Sequence, residues 1–349
     1  MGIFDHAVSV VVQGAINTSL TPKCLKSIRR YLPNAEIILS TWNSCNVNGL
    51  DYDKLVLSED PGFFYYSLNE NDKVNNVNRQ ILSTFAGLKV ASNEWVLKLR
   101  SDFQINGNNF LNLVNKYENS LVDYKVFTNK IIACSYFSRN PKCSQYVFHP
   151  SDIAFLGLKK DLLNLYQIPL MNEDEAYYLT INGIKYNRYV PEQYLFIKCL
   201  RKNFKTVNFS DQSDLNDTVV EETEKYFVSN FVFYNWNQLN LIAPKKFNDF
   251  ILNDFMTCIT HIEWLKLYGK YVDEQVIIPK KDPERIRLIK TAIKFGLLQK
   301  NDKTKKFRLK KLNKLISNIV AMPFYGNKNK NKRNQIRKKI INILEKEKH

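Results

Sequence analysis

The stretch WVLKLRSDF, residues 95–103, gathers the side chains most suited to chemistry. Strand side chains alternate between faces, so Trp95, Leu97 and Leu99 share one side and Lys98, Arg100 and Asp102 the other. Charge on a buried strand face is costly unless each ion is paired or partly wet. Two structural readings meet that cost: Arg100 and Asp102 form an internal ion pair, or the run is an edge strand with a wet face. A functional reading meets it too. An Asp at a strand end can hold a divalent metal or a ribose hydroxyl, and a neighbouring Arg can neutralise a phosphate through a bidentate contact. A long amphipathic helix precedes the run, and such a helix ordinarily feeds a central parallel strand, which argues against the edge.

Other chemistry-bearing residues fall where they could join that strand end. Asn75 and Arg79 lie one turn apart near the start of the preceding helix, and an Arg there suits a diphosphate. Their structural alternative is a solvated helix face. Glu192, in the first turn of a helix opened by Pro191, is the first candidate for a general base; ordinary helix-start electrostatics is its alternative. Asp152, within FHPSDIAFLG, is the rival base, with His149 three residues before it. His149 alone reads as a structural histidine, and Glu173-Asp174-Glu175 reads as a solvated face.

The elements that would position these groups can be read from periodicity. VSVVVQ (8–13) reads as a fully buried strand ending at Gly14. Thr21-Pro22 opens a helix through Leu25, Ile28 and Leu32 that stops at Pro33. EIILST (36–41) and KLVLS (54–58) read as the second and third strands, the latter followed by the turn Glu59-Asp60-Pro61-Gly62. A helix capped at Asn71 or Asp72 carries the stripe Val74, Val77, Ile81, Phe85, Leu88. The fourth strand is the opening stretch. Residues 125–137, 152–158 and 226–235 read as further strands, and 159–166 and 192–202 as helices. The order predicts an α/β fold, a Rossmann-like and mostly parallel sheet with right-handed crossovers. In such sheets ligands sit beyond the carboxyl ends of the strands. Gln13-Gly14, Thr41-Trp42, Asp60 and Arg100-Ser101-Asp102 then share one rim.

Composition sets outer limits. The chain has 349 residues, 44% hydrophobic and 13% aromatic, enough for one large domain or one with a smaller partner. No apolar run approaches the roughly 18 residues of a membrane-spanning helix, and no basic leader precedes the first apolar run. Six scattered cysteines without a C-x-x-C pair point to reduced thiols in a cytoplasm. The formal charge of +17 is segregated: residues 280–349 hold 23 Lys and Arg against 5 Asp and Glu, leaving 28 basic and 29 acidic residues before them. The charge divides a body of residues 1–279 from a basic helical extension (280–349).

The blocks VVVQGAI, CLKSIRRYLPNAEIILSTW, DPG, NRQI, GL, LKLRSD and PEQYL, in this order over roughly residues 8–200, resemble the WavE family of lipopolysaccharide-synthesis proteins. The passage from VNNVNRQI to LRSDF also resembles the GT-A glycosyltransferase segment that leads into a D-x-D motif. The resemblance implies transfer of a sugar from a nucleotide-sugar to a lipid-linked or oligosaccharide acceptor, extending a lipopolysaccharide or capsular glycan. It implies a nucleotide-binding half (1–105) and an acceptor half (106–279) within the body. It implies that Gln13, Gly14 and Asp60 hold base and ribose, with Thr41 and Trp42 at the second strand end. Asn75, Arg79, Arg100 and Asp102 complete the donor set. Arg100 stands where the motif has its first acid. Asp102 is then the sole metal candidate from the motif, for Mn²⁺ or Mg²⁺, and metal-independent transfer is the alternative.

In residues 305–320, Leu309, Leu312, Leu315, Ile316 and Ile319 form a stripe flanked by Lys306, Lys310, Lys311 and Lys314. That is the pattern of a helix lying on an anionic membrane surface, here the inner face of the plasma membrane. Packing of the stripe on the body is the alternative. Few aromatics accompany the lysines, which counts against single-strand nucleic acid. Two other functions compete: a nucleotidyltransferase on a similar sheet, for which GAINTSLTPK is a poor phosphate loop, and a non-enzymatic basic protein binding membrane or nucleic acid.

Overall fold

The valine-rich run at residues 8–13 is the axis of the protein. A computed structural model of the chain describes residues 2–65, 74–181, 184–247, 257–298, 313–314, 316–318, 320–321 and 330–346. Strand β1 (Val8–Gln13) is buried along its whole length. It lies between β2 (Glu36–Trp42) and β6 (Trp95–Arg100), parallel to both, with Gln13 opposite Ser40 on one side and Arg100 on the other. Apolar residues on both faces suit a strand covered twice. β3 (Lys54–Ser58) closes that edge, and its Leu55 and Leu57 are exposed.

The full sheet has seven strands in the order β12-β8-β9-β6-β1-β2-β3. β9 (Ala154–Leu158) is antiparallel to both β6 and β8 (Ile131–Cys134), and β12 (Phe231–Tyr234) is parallel to β8. Six strands therefore end at one rim, and β9 begins there. The strands from either side of residue 105 belong to this one sheet. Three antiparallel pairs stand outside it: β4 (Phe64–Tyr65) with β5 (Val74–Asn75), β7 (Gln104–Ile105) with β13 (Leu241–Ile242), and β10 (Tyr177–Ile181) with β11 (Ile184–Asn187).

Helix α1 (Thr21–Tyr31) starts at a proline-bearing turn and buries Cys24, Leu25 and Ile28. Helix α2 (Val77–Val90) crosses β1 and β2 so closely that a Cβ on Gly87 would meet Val11 Cγ1 at 2.5 Å and Ser40 Cβ at 3.1 Å. Only glycine allows that approach. Helices α3 (Lys159–Tyr166) and α5 (Pro191–Lys202) pack on α2, with the short α4 (Glu173–Ala176) between them in sequence. Among the described residues no helix is long and apolar enough to cross a membrane.

Two expectations need correction. Residues 226–230 are not strand; they end helix α6 (Asp217–Asn230), and only Phe231–Tyr234 are extended. Asn216 caps that helix by accepting from the Val219 amide at 3.0 Å, and Val219, Thr223, Tyr226 and Phe227 then bury one helical face. Tyr226, Phe227 and Val228 fit an extended run as well as a buried helical face. The helix after β5 begins at Val77, so Val74 and Asn75 belong to β5; residues 66–73, with the expected cap at Asn71 or Asp72, lie outside the described residues.

The basic extension begins as a helix, Pro283–Leu298, and ends as another, Lys330–Lys346. Its start is tied to the body: Arg285 pairs with Glu263 at 2.7 Å and donates to the Cys258 carbonyl at 2.8 Å. Lys306, Lys310 and Lys311 lie outside the described residues, as do Leu309, Leu312, Leu315 and Ile319 of the stripe; Lys314 is exposed. Nearby, Asn313, Ser317, Asn318 and Ala321 are buried.

Candidate active site

Each charge on β6 has a partner. Lys98 is completely buried, and its ammonium donates to the Asp152 carbonyl and reaches Asp152 Oδ2 at 3.3 Å. Burial pushes its pKa down, and the Asp152 charge opposes that shift. Arg100 donates from Nε and Nη2 to the two Asp102 oxygens at 3.1 and 3.0 Å. Its guanidinium also lies 5.4 Å from the Phe247 ring and 5.8 Å from that of Phe103. β6 is central, between β1 and β9, so the edge-strand reading fails. The ion-pair reading holds, yet it does not exhaust the residues, because the pair opens onto a cleft.

That cleft, about 480 Å³, lies at the rim where the six strands end. Gln13, Gly14, Trp42, Asp60, Arg79, Arg100, Asp102 and Asp152 all line it, together with Asn76, Gln80, Ser101 and residues 15–17. Gly14 has φ +117°, a conformation that favours glycine, and it turns the chain so that Ala15 accepts from Ser101 Oγ at 2.8 Å. Gln13 Oε1 accepts from Ser83 Oγ at 2.9 Å, which fixes its amide against α2.

On the opposite wall Arg79 is aimed by two acceptors. Nε and Nη2 donate to the Asp60 carboxylate at 2.7 and 2.6 Å, and Nη1 donates to Asn76 Oδ1 at 2.9 Å. The Arg79 hydrogen bonds hold the Asp60 carboxyl below its usual range. A guanidinium has five N–H groups, so two remain for an anion in the cleft. The ring of Phe63, 5.0 Å away, backs the group.

Across these features the chain matches a known family. The match is to WavE lipopolysaccharide synthesis and covers residues 8–295. The chain belongs to the WavE family. No curated protein matches it. The WavE match runs through every strand of the central sheet and ends within the helix Pro283–Leu298, so the start of the basic extension lies inside it.

In this WavE-family protein the two candidate bases are neighbours. Arg100 N donates to the Ile153 carbonyl at 3.2 Å, which sets Asp152 beside the end of β6. The Glu192 carboxyl neighbours that of Asp152 and lies 3.2 Å from His149 Nε2. Gln193 holds the arrangement by donating to the Val147 carbonyl at 2.9 Å. Burial alone would raise the Glu192 carboxyl, but the charge and hydrogen bond of His149, helped by Asp152, outweigh it and keep it well below the usual carboxylate range. Lys98, Asp152, Glu192 and His149 thus form one buried cluster, two neighbouring carboxyls flanked by Lys98 and His149, that reaches the cleft through Asp152.

Thr41 and Asn75 are not cleft-lining. Thr41 is fully buried beside Trp42. The Asn75 amide donates to Asn187 Oδ1 and the Tyr189 carbonyl, and its oxygen accepts from the Val77 amide, so it fastens β5 to the segment after β11. Its neighbour Asn76 takes the expected place. The sequence signal that named Lys98 as charged gave no hint of Asp152 as its partner, because the antiparallel entry of β9 has no signature in the chain.

A metal at Asp102 does not fit these residues. Arg100 spans both Asp102 oxygens, Arg79 spans Asp60, and Lys98 holds Asp152. Among the described residues no three His, Cys, Asp or Glu side chains converge as ligands. A divalent ion normally draws on several oxygen ligands, and here each cleft carboxylate already neutralises a cation.

Proposed function

We propose that the protein is a glycosyltransferase that moves a sugar from a nucleotide-sugar donor to a growing lipopolysaccharide or capsular glycan, with inversion at the anomeric carbon and without a metal. The observation that carries this reading is one cleft lined by two guanidiniums, on its strand-end wall and its helix wall, and by Asp152, with Glu192 buried behind it. Arg79 and Arg100 supply the positive charge that a departing nucleoside phosphate needs. The Gln13-Gly14 turn and Asp60 hold the base and ribose.

The reaction would proceed as a direct displacement. An acceptor hydroxyl attacks the anomeric carbon, and the bond to the donor phosphate breaks with its electron pair going to that phosphate. The hydroxyl proton passes to the Asp152–Glu192 pair, Asp152 presenting the carboxyl to the cleft. Glu192 is therefore the group behind the base rather than the one facing substrate, and Lys98 and His149 hold the pair at the ends. The acceptor is an oligosaccharide or lipid-linked glycan, met at the cytoplasmic face of the plasma membrane. Lys306, Lys310, Lys311 and Lys314 would favour docking to its anionic surface.

Thermal-shift titration with UDP-, GDP-, CMP- and dTDP-sugars tests the reading, with and without a chelator. One nucleotide class should raise the melting temperature, equally in both conditions, and Arg79→Ala should remove the shift. No shift with any donor, or a shift that needs Mg²⁺ or Mn²⁺, would overturn the proposal or its metal-free form respectively.

A further inference from the structure

The opposite rim of the sheet holds a second concavity with different chemistry. Lys130 directly precedes β8, and β8 points the same way as β6 because both are antiparallel to β9. Lys130 therefore lies at the rim away from Arg100. A pocket of about 250 Å³ opens there, lined by Lys116, Lys125, Lys130, Tyr117, Glu118 and Asn129 among others. Among the described residues none of the three lysines makes an ion pair with a carboxylate.

The lysine nearest the sheet is held in place without being neutralised. Its ammonium donates to the Asn119 carbonyl and stands 4.4 Å from the Tyr268 ring centre and 5.8 Å from that of Trp264. Tyr117 packs edge-on against the same two rings, at 5.4 and 5.1 Å, and forms a wall of the pocket. Burial and the charge of Lys125 push the Lys130 amine down to about 7. Three ammonium groups facing one carboxylate repel one another, and an anion among them relieves that repulsion. Ligand pockets for drug-sized molecules run from about 300 Å³ upward, so this one takes a compact group rather than a whole nucleotide. Ammonium groups act on phosphate as point charges without the fork geometry of arginine.

We propose that this pocket binds a phosphoryl group on Lys116, Lys125 and Lys130, apart from the donor cleft. The phosphoryl group comes either from free phosphate or from a phosphorylated lipid headgroup, and the arms of one experiment separate these. Calorimetric titration of the full chain with sulfate, a dianion across the range used, and with inorganic phosphate should show binding in the wild type. Arg79→Ala, which removes the cleft's own anion contact, should keep the pocket's share of binding for both. Lys130→Gln should weaken both about tenfold or more, as expected for a lost charge-assisted contact, and so should the exposed-site variant Lys125→Gln. The groups facing Lys130 are Lys116, Lys125, Glu118, Tyr117, Tyr268 and Trp264. Sulfate affinity should fall as pH rises through about 7, where Lys130 gives up its proton.

Sedimentation with phosphatidylcholine vesicles, with and without phosphatidic acid, then assigns the source. Binding to phosphatidic acid that drops in Lys130→Gln names the headgroup; binding unchanged by it names free phosphate. No sulfate or phosphate binding by the wild type overturns the proposal. So does binding that survives both lysine substitutions, or that disappears only with Arg79→Ala.

Discussion

The two concavities, one at each rim of the sheet, handle charge in opposite ways. At the rim where six strands end, each cation has a carboxylate: Lys98 with Asp152, Arg100 with Asp102, Arg79 with Asp60. At the other rim Lys116, Lys125 and Lys130 have none among the described residues. Lys98 is fully buried and could not remain charged without its partner, whereas Lys116 and Lys125 are exposed and tolerate repulsion. Paired charges hold a geometry before any ligand arrives. Unpaired ones leave the balance to the ligand.

The sharpest way to break this comparison is to strand a charge on each side. Lys98→Met leaves the Asp152 carboxylate buried alone and should lower unfolding stability by about 3–5 kcal/mol in urea titrations. The double variant Lys98→Met/Asp152→Asn should recover much of it. Lys125→Met, at an exposed pocket lysine, strands nothing and should change stability by less than about 1 kcal/mol. Equal losses in the two single variants would erase the distinction.

A smaller effect separates charge used for folding from charge used for catalysis. Arg79 and Asp60 form a partly exposed pair, so Arg79→Ala should leave stability within about 1 kcal/mol. If the cleft works as proposed, the same variant should lower transfer about 10²–10³-fold, the scale for removing one preorganised stabiliser. Wild-type turnover in Arg79→Ala, with a matched donor, would take that residue out of the site.

The smallest effect is a matter of pH. The Glu192 carboxyl is held below its ordinary 4.5 in the folded protein. Its contribution is complete above 4.5 and is lost as pH falls from there toward the folded value. Urea midpoints measured between about pH 6 and pH 3 should therefore drop on the acid side, and Glu192→Gln should flatten that limb. An acid limb identical in both proteins would separate Glu192 from the buried chain.

Much of the first hundred residues was legible in the sequence because its signals are local. The valine run of β1, the prolines that open α1 and α5, and the stripe of α2 are each signalled within a few residues. The alternation on β6 named Arg100 and Asp102 as charged neighbours before any contact was known. Long-range facts were not legible. Nothing near Asp152 says that β9 enters the sheet backward, and that reversal is what brings it to Lys98 and Arg100. Thr41 and Asn75 were misplaced by a single residue each, because a strand end offers its last side chains to opposite faces. Residues 226–230 misled because Tyr226, Phe227 and Val228 fit both a helical face and an extended run.

The reversed β9 has a consequence during synthesis. The ribosome releases β1 through β6 before residues 154–158 exist, so β6 must wait as an open border of a growing sheet. Such borders recruit stray chains, and a lysine is one of the side chains that discourages it. Lys98 sits in the middle of that border. The same ammonium that later disappears beneath Asp152 would first guard the nascent half-sheet from its neighbours, so one residue serves the polypeptide twice, at two different ages.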